Sequence, residues 1–347
     1  MVEAGTDPHS RQQQTPSSQH SRAGGAGYRY VRSWPSPGHR RLRYARPNEC
    51  SDSFSTQPLP SVQMYQLEPI DGLIAPALIV AFQGWVNAGN VGTEASGHIV
   101  ANGDVVATFD PDALFDYRSN RPVIDFVDGR LQDVDWPELS LRRAHYDRRD
   151  VLVLSGNEPD WQWKALGRSI VELASRLGVV EVVSLGGVPA ATPHTYPTPI
   201  LTTASRPDLI DESEQLPEGL LRVPGAAVNI IELALTNSGI PAVGFWAQVP
   251  HYVAGPYYAG AVALIDRVAR HLGIRIELGE LVDRAAEQRQ QLDATIATQP
   301  DSRAYLERLE GIAAAQGEIP SADDIAAQVE RFLRDAAEGE EPFGPEV

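Results

Sequence analysis

From residue 77 onward the chain alternates short apolar runs with stretches of helical periodicity, and that alternation restricts it to βα units around a mainly parallel sheet. Four units stand out. The run ALIVAF (77–82) precedes a helix near 91–102, with Asn90 as its predicted cap and Asn102 and Gly103 as its stop. VLVLS (151–155) precedes a helix over 161–177 whose Leu166, Ile170, Leu173, Ala174 and Leu177 share one face. VEVVSL (180–185) leads, after a long excursion, to a helix near 226–238. AVGFWA (242–247) precedes a helix opened by Gly255 and Pro256 and closed by Gly273. Between the first two units, VVATF, PVIDFV and ELSLRRAHY read as further strands or a hairpin added to the sheet.

The pattern changes at both ends. Residues 1–63 are rich in Gly, Pro, Ser, Gln and Arg without apolar periodicity, the composition of a disordered tail, and Met64 opens the first ordered-looking segment and is a candidate start. Residues 64–275 form the predicted α/β core domain. Residues 276–337 read as a small helical appendage in three stretches, near 280–297, 301–315 and 321–337, and residues 338–347 as an acidic disordered tail. Arg284, Arg289, Arg303 and Arg308 alternate with acidic residues there, the pattern of solvated helix faces.

Composition excludes several function classes. A formal charge of −17 disfavours nucleic acid and anionic membrane as partners, since both are polyanions. No apolar run reaches the roughly 18 residues of a membrane span, so a cytoplasmic protein is expected. Lys164 is the only lysine, which removes the P-loop and leaves one Schiff-base candidate, on an amphipathic helix where a solvated role fits better. Cys50, the only cysteine, falls in the predicted tail and argues against both a disulfide and a catalytic thiol. The histidines show no paired spacing and there is no HExxH or GxSxG, so neither a metal centre nor a cofactor is predicted.

In open α/β sheets, ligands bind outside the carboxyl ends of the parallel strands. The segments expected there are QGWVNAGN (83–90), GNEPDWQWK (156–164), GGVPAATPHTYP (186–197) and QVPHYVAGPYY (248–258). The candidate rim pocket is therefore Gly84, Trp85, Asn87, Arg121, Glu158, Gly186, Gly187, His194, His251 and Tyr252. A sharp turn at Gly186 and Gly187, stiffened by the following prolines, would hold His194 and Tyr196 over the rim, and Gly187→Val would destabilise that turn. Asp160 fits a helix N-cap, whereas Glu158 fits a site carboxylate and a helix-dipole partner equally well. His194 and His251 suit proton transfer or plain structural bonding; Trp85, Trp161, Trp163, Trp246 and Tyr252 suit a pocket wall or core cover. Arg121, with Arg118 and Asn120, could grip an anionic group or pair with Asp116 or Asp125.

At these same loops the sequence resembles the proteasome assembly chaperone 2 family in its bacterial form. The motifs that carry the resemblance are FQGWVNAGN, YRSNRP, GNEPDWQWKAL, SLGGVPAATPHTYP and GFWAQVPHYV, in order across residues 77–275. The resemblance implies an α/β sandwich similar to the nucleoside phosphorylase-like fold, homotrimers, and relatives that help assemble proteasome α-subunit rings. It brings no catalytic role onto any residue. The chain has Val86-Asn87-Ala88-Gly89 where the family has Asn-Asp-Ala-Gly, and ends Pro345-Glu346-Val347 rather than in the hydrophobic-Tyr-X of ring-docking chaperones.

Two readings follow. One is a non-enzymatic chaperone-like assembly factor that presents the rim to a protein partner such as proteasome subunits. The other is an enzyme or binder of a nucleoside- or phosphate-like small molecule that uses the rim as a pocket. The second requires Glu158, His194 and His251 to converge.

Overall fold

A computed structural model of the chain describes residues 64–210 and 219–317. The predicted N-terminal tail, the third helical stretch and the acidic tail lie outside the described residues. The four apolar runs become β2 (Ala77–Gln83), β7 (Arg149–Asn157), β8 (Glu181–Ala190) and β10 (Ala242–Pro250), adjacent and parallel. They read as unbroken apolar runs because both of their faces are covered. On one side of the sheet Leu78, Val80, Leu152 and Leu154 pack under α3 (Trp163–Leu177) and α4 (Ala227–Asn237). On the other, Ile79, Val153, Val183 and Phe245 pack under α1 (Val91–Ile99) and α5 (Tyr258–Leu272).

The whole sheet is mixed rather than mainly parallel. It has eight strands in the order β1-β3-β6-β7-β2-β8-β10-β9, adding β1 (Tyr65–Leu67), β3 (Asp104–Phe109), β6 (Leu139–Tyr146) and β9 (Ile200–Ala204). All four additions pair antiparallel, because β6 returns into β7 through a tight hairpin and β9 folds back on the outer edge of β10. The run PVIDFV does not join this sheet. It forms β4 (Val123–Val127), which pairs only with β5 (Arg130–Asp135) through Asp128-Gly129, both with positive φ. Between β3 and this hairpin lies a single-turn helix, α2 (Pro111–Leu114).

Two predicted caps are also corrected. Asn90 is left-handed and caps nothing with its side chain; the Asn87 carboxamide, buried against the sheet, accepts from Gly92 N–H at 2.9 Å and donates to Thr93 Oγ1 at 2.8 Å. Helix α3 begins at Trp163, not residue 161, with Gln162 rather than Asp160 at its N-cap. Beyond α5, which ends at the left-handed Gly273 as expected, α6 (Glu280–Ala297) and α7 (Pro300–Gly317) follow, with Leu281 and Leu309 buried.

A buried carboxylate pins the sheet end opposite the rim. Asp150 is fully buried and accepts from Ile74 N–H at 2.6 Å, Arg143 Nε at 2.7 Å and His145 Nδ1 at 3.1 Å. Burial alone would raise its pKa, but these bonds and the Arg143 charge together hold the carboxyl below its usual range. A depressed folded pKa gives stability that is present above the unfolded value, near 4, and is lost as pH falls through the folded one. Asp150→Asn is therefore expected to lose about 3 kcal/mol at pH 7, with the gap to the parent closing as pH falls below about 4. Parallel melting-temperature curves for the two proteins from pH 7 to pH 3 would refute this.

Candidate functional site

Because β2, β7, β8 and β10 are parallel, the loops after them share one rim, as the sequence predicts. Glu158 follows β7 directly. Its Oε1 accepts from Ala227 N–H, in the first turn of α4, at 2.7 Å, and its Oε2 accepts from Trp85 N–H at 2.9 Å. The carboxylate thus ties three rim segments together and supplies the negative charge at a helix N-terminus. Gly84 is glycine because a Cβ there would collide with the Glu158 side chain. Asp160 braces the neighbouring loop, accepting from Asp116 N–H and Asn120 Nδ2, each at 2.8 Å.

Gly186 and Gly187 are not a turn. Both lie inside β8, paired with Trp246 and Ala247 of β10, and neither has a positive φ. Their role is close approach: Gly187 N–H donates to Val86 O at 2.9 Å, and the 86–92 loop lies flat against them. What the sequence reads as a sharp turn is the floor on which the first rim loop rests.

His194 is buried and fully engaged. Tyr252 OH is 2.8 Å from its Nδ1 and accepts from its backbone N–H at 2.9 Å, while Nε2 lies 3.1 Å from Asp293 of α6. Both ring nitrogens are thus occupied, Nε2 by the carboxylate and Nδ1 by the phenol. Burial pushes the Tyr252 phenol up to about 12, against the lowering effect of the His194 N–H, so it remains a protonated donor. His251 has different partners: Nδ1 donates to Ala190 O at 3.1 Å, and Nε2 accepts from Tyr305 OH of α7 at 3.3 Å. Thr195 Oγ1 donates to Glu310 of α7.

The rim histidines therefore help attach α6 and α7 to the sheet, beside the bonds that Gln288 makes to Tyr258 N–H and Pro256 O. Asp293, Tyr305 and Glu310 went unnoticed in the sequence because they lie on helices whose charge pattern reads as solvated. Glu158, His194 and His251 share no hydrogen-bond partner, although both histidine rings meet the Tyr252 ring edge-on, and a cleft of about 700 Å³ beside His194 is lined by neither of the others. Arg121 is exposed at the root of the β4–β5 hairpin and makes no hydrogen bond or ion pair among the described residues. Lys164 is exposed on α3. Among the described residues no group of three or more His, Cys, Asp or Glu could hold a metal ion, and no helix is long and apolar enough to cross a membrane.

What the rim does present is apolar surface. Trp85, whose N–H Glu158 holds, is 70% exposed and Trp161, three residues after Glu158, is 53% exposed, and Leu220, Leu221 and Val223, all exposed, lead into the helix that Glu158 caps. In the adjacent hairpin Val123, Ile124, Phe126, Val127 and Leu131 are exposed too. Its root is held to the rim by the chain of bonds from Asn157 through Asn120 to Asp160.

The profile of the PAC2 family matches residues 81–296, which takes in every rim loop. The chain belongs to the PAC2 family. Among solved structures it is similar to a Mycobacterium tuberculosis protein of unknown function, at 34% identity over 73% of this chain and 92% of the other, with a TM-score of 0.68. A Mycobacterium tuberculosis proteasome-assembly chaperone homologue aligns at 31% identity over 66% of this chain and 99% of its own, with a TM-score of 0.62. A PAC2 family protein from Streptomyces avermitilis aligns at 33% identity over 67% and 99%, with a TM-score of 0.59. No curated protein matches the chain. At these TM-scores the mixed α/β architecture of this PAC2 protein is consistent with that of its solved relatives.

One buried acid takes no part in the rim. Glu232 on α4 is partly buried against the β8 face, where Ser184 Oγ is its neighbour but the two make no well-formed hydrogen bond and neither Oε2 nor Oγ finds another partner among the described residues. Burial raises its carboxyl pKa, only partly offset by Ser184. A raised folded pKa favours folding below the unfolded value and costs stability as pH rises through the folded one. Glu232→Gln is thus expected to raise stability by about 1 kcal/mol at pH 8 and to leave it unchanged near pH 4. A destabilised variant at pH 8 would show that the carboxylate has a partner.

Proposed function

We propose that this PAC2 protein is a proteasome-assembly-like factor, a non-enzymatic cytoplasmic protein that binds a protein partner through the exposed apolar surface of its rim. The observation that carries the reading is that the rim's acid and bases are consumed by structural bonds while its tryptophans face outward. An exposed aromatic patch on a polar protein is the anatomy of an interface, since aromatic anchors dominate binding energy. The formal charge of −17 suits a partner with a basic surface. The proteasome-assembly chaperone homologue among the relatives makes proteasome subunits the first partner to test. A nucleoside phosphorylase-like origin for the sheet and a homotrimeric assembly belong to the same proposal, with the hairpin as the surface available to a second copy.

The test is quantitative co-purification of the tagged full chain from cells that contain proteasomes, beside an unrelated acidic protein. Proteasome α-subunits are expected at near-stoichiometric yield with the parent and at least tenfold lower yield with Trp85→Ser/Trp161→Ser. Yields equal to the control protein's would overturn the reading.

A further inference from the structure

The loop 194–200, α5 and α6 enclose the cleft of about 700 Å³ beside His194, a volume that suits a small-molecule site. Its walls are apolar over most of their length, with Ile200, Val262, Leu278, Val282 and Leu292 among the lining. Along α5 the lining runs from Ala259 to Arg270, about 16 Å at the helical rise. Charged and hydroxyl groups gather at its two ends. Where α5 finishes, Arg270 pairs with Asp266 at 3.2 Å. Where α5 begins, Arg289, Tyr257 and Thr198 line the cleft together. Arg289 has one loose ion pair, at 3.9 Å, with Asp293, whose other oxygen lies 3.1 Å from His194. Tyr257 is only 2% exposed, and its phenol accepts from Thr198 Oγ1 at 3.4 Å while its own proton reaches no acceptor among the described residues. Burial raises the phenol pKa against the opposing effects of Thr198 and Arg289, so that proton stays in place. A buried O–H donor without an acceptor is costly, and an acceptor in the cleft would remove the cost.

We propose that the cleft binds one long-chain fatty carboxylate, with its head group on Arg289 and Tyr257 and its alkyl chain along the groove between α5 and α6. The head end selects the charge. A carboxylate gives Arg289 a full partner and the Tyr257 O–H an acceptor, and one arginine balances a monoanion where a phosphate dianion would keep uncompensated charge. The groove selects the body. Between its two ends the α5 and α6 residues that line it are alanine, valine and leucine, so a peptide laid there would leave backbone donors and acceptors unpaired, whereas an alkyl chain needs only apolar contact. The place of the cleft keeps it apart from the surface offered above to a second copy. The β4–β5 hairpin is rooted beside Asn157 of β7, while the cleft lies beside α5 and β9, across β2, β8 and β10, so a ligand in the one does not occupy the other.

The proposal does not rest on the rim's partner. It is tested by titrating the delipidated full chain with palmitate below its micellar concentration, with hexadecanol as the probe of equal chain length and neutral head. Saturable binding of one palmitate per chain is expected, with hexadecanol at least tenfold weaker. Arg289→Gln should weaken palmitate at least tenfold, and Ala286→Trp, at an exposed position in the lining, should abolish binding without lowering the melting temperature. Lys164→Gln, which removes a charge from the exposed face of α3, should leave the affinity unchanged. Absence of saturable palmitate binding would overturn the proposal. So would equal affinity in the parent, Arg289→Gln and Ala286→Trp, which would place the lipid elsewhere, and so would equal affinity for hexadecanol, which would remove the head-group site. Light scattering on the same samples supplies the remaining outcome: an Ala286→Trp protein of lower mass than a parent that binds no palmitate would assign the cleft to a second copy and overturn the proposal.

Discussion

Glu158→Ala is expected to lower the unfolding free energy by about 3 kcal/mol, a loss larger than any surface substitution should produce. Both carboxylate oxygens accept from backbone N–H groups, Ala227 at 2.7 Å and Trp85 at 2.9 Å. Bonds to a charged acceptor are worth roughly 1.5–3 kcal/mol each, and alanine leaves both donors to find water or go unpaired. The residue is partly buried, so compensation by water is incomplete, which places the expected loss below the sum of the two bonds. Glu158→Gln keeps one acceptor oxygen and removes the charge at the α4 N-terminus, and about 1–2 kcal/mol should be lost. Denaturant titration of both variants checks the order. Exchange at the Ala227 amide should accelerate more than the global loss requires, because α4 frays from that end. An unchanged midpoint for Glu158→Ala would mean that the two bonds add nothing in solution, and would restore the carboxylate as a free group at the rim.

The elements that periodicity revealed are those whose burial is local and repetitive. VLVLS, VEVVSL and AVGFWA could only be strands covered on both faces, and the Leu166–Leu177 stripe could only be one face of a helix; all are so in the structure. Convergence of the loops on one rim followed from parallel order alone. The features that escaped depend on contacts between distant residues. Nothing near His194 announces Asp293, 99 residues away, and nothing near Asp160 announces Asn120, 40 residues earlier. For PVIDFV the sequence allows a strand or a hairpin, but as an addition to the main sheet, and the local turn signal argues otherwise. Asp128-Gly129 supplies the two left-handed residues of a tight turn, and that turn pairs PVIDFV with its own neighbour before it can reach the main sheet. Gly186 and Gly187 were legible as important but not as to reason, since a glycine needed for its φ and one needed for its missing Cβ look identical in a sequence.

That distinction makes the last prediction discriminating. Gly187→Val is expected to destabilise the protein by 3 kcal/mol or more, by collision rather than by a forbidden backbone conformation, with Gly187→Ala losing about 2 kcal/mol. A Cβ at residue 187 would stand 2.5 Å from Val91 Cγ2 and 2.6 Å from Ala88 O, and the second of these is backbone held in the loop that Asn87 and Gly92 anchor. The loop cannot retreat without breaking the Gly187–Val86 bond, so the cost cannot be relieved by a rotamer change. Gly97, on the exposed face of α1 with nothing within 4 Å of its Cβ position, is the matched control: Gly97→Ala should stabilise by about 1 kcal/mol. If the two alanine variants shift the melting temperature equally, close approach is not what requires glycine in β8. If Gly187→Ala alone is destabilised, and Trp85 fluorescence shifts with it, the first rim loop is held in place by the strand beneath it. The exposed aromatic surface would then owe its position to two missing side chains.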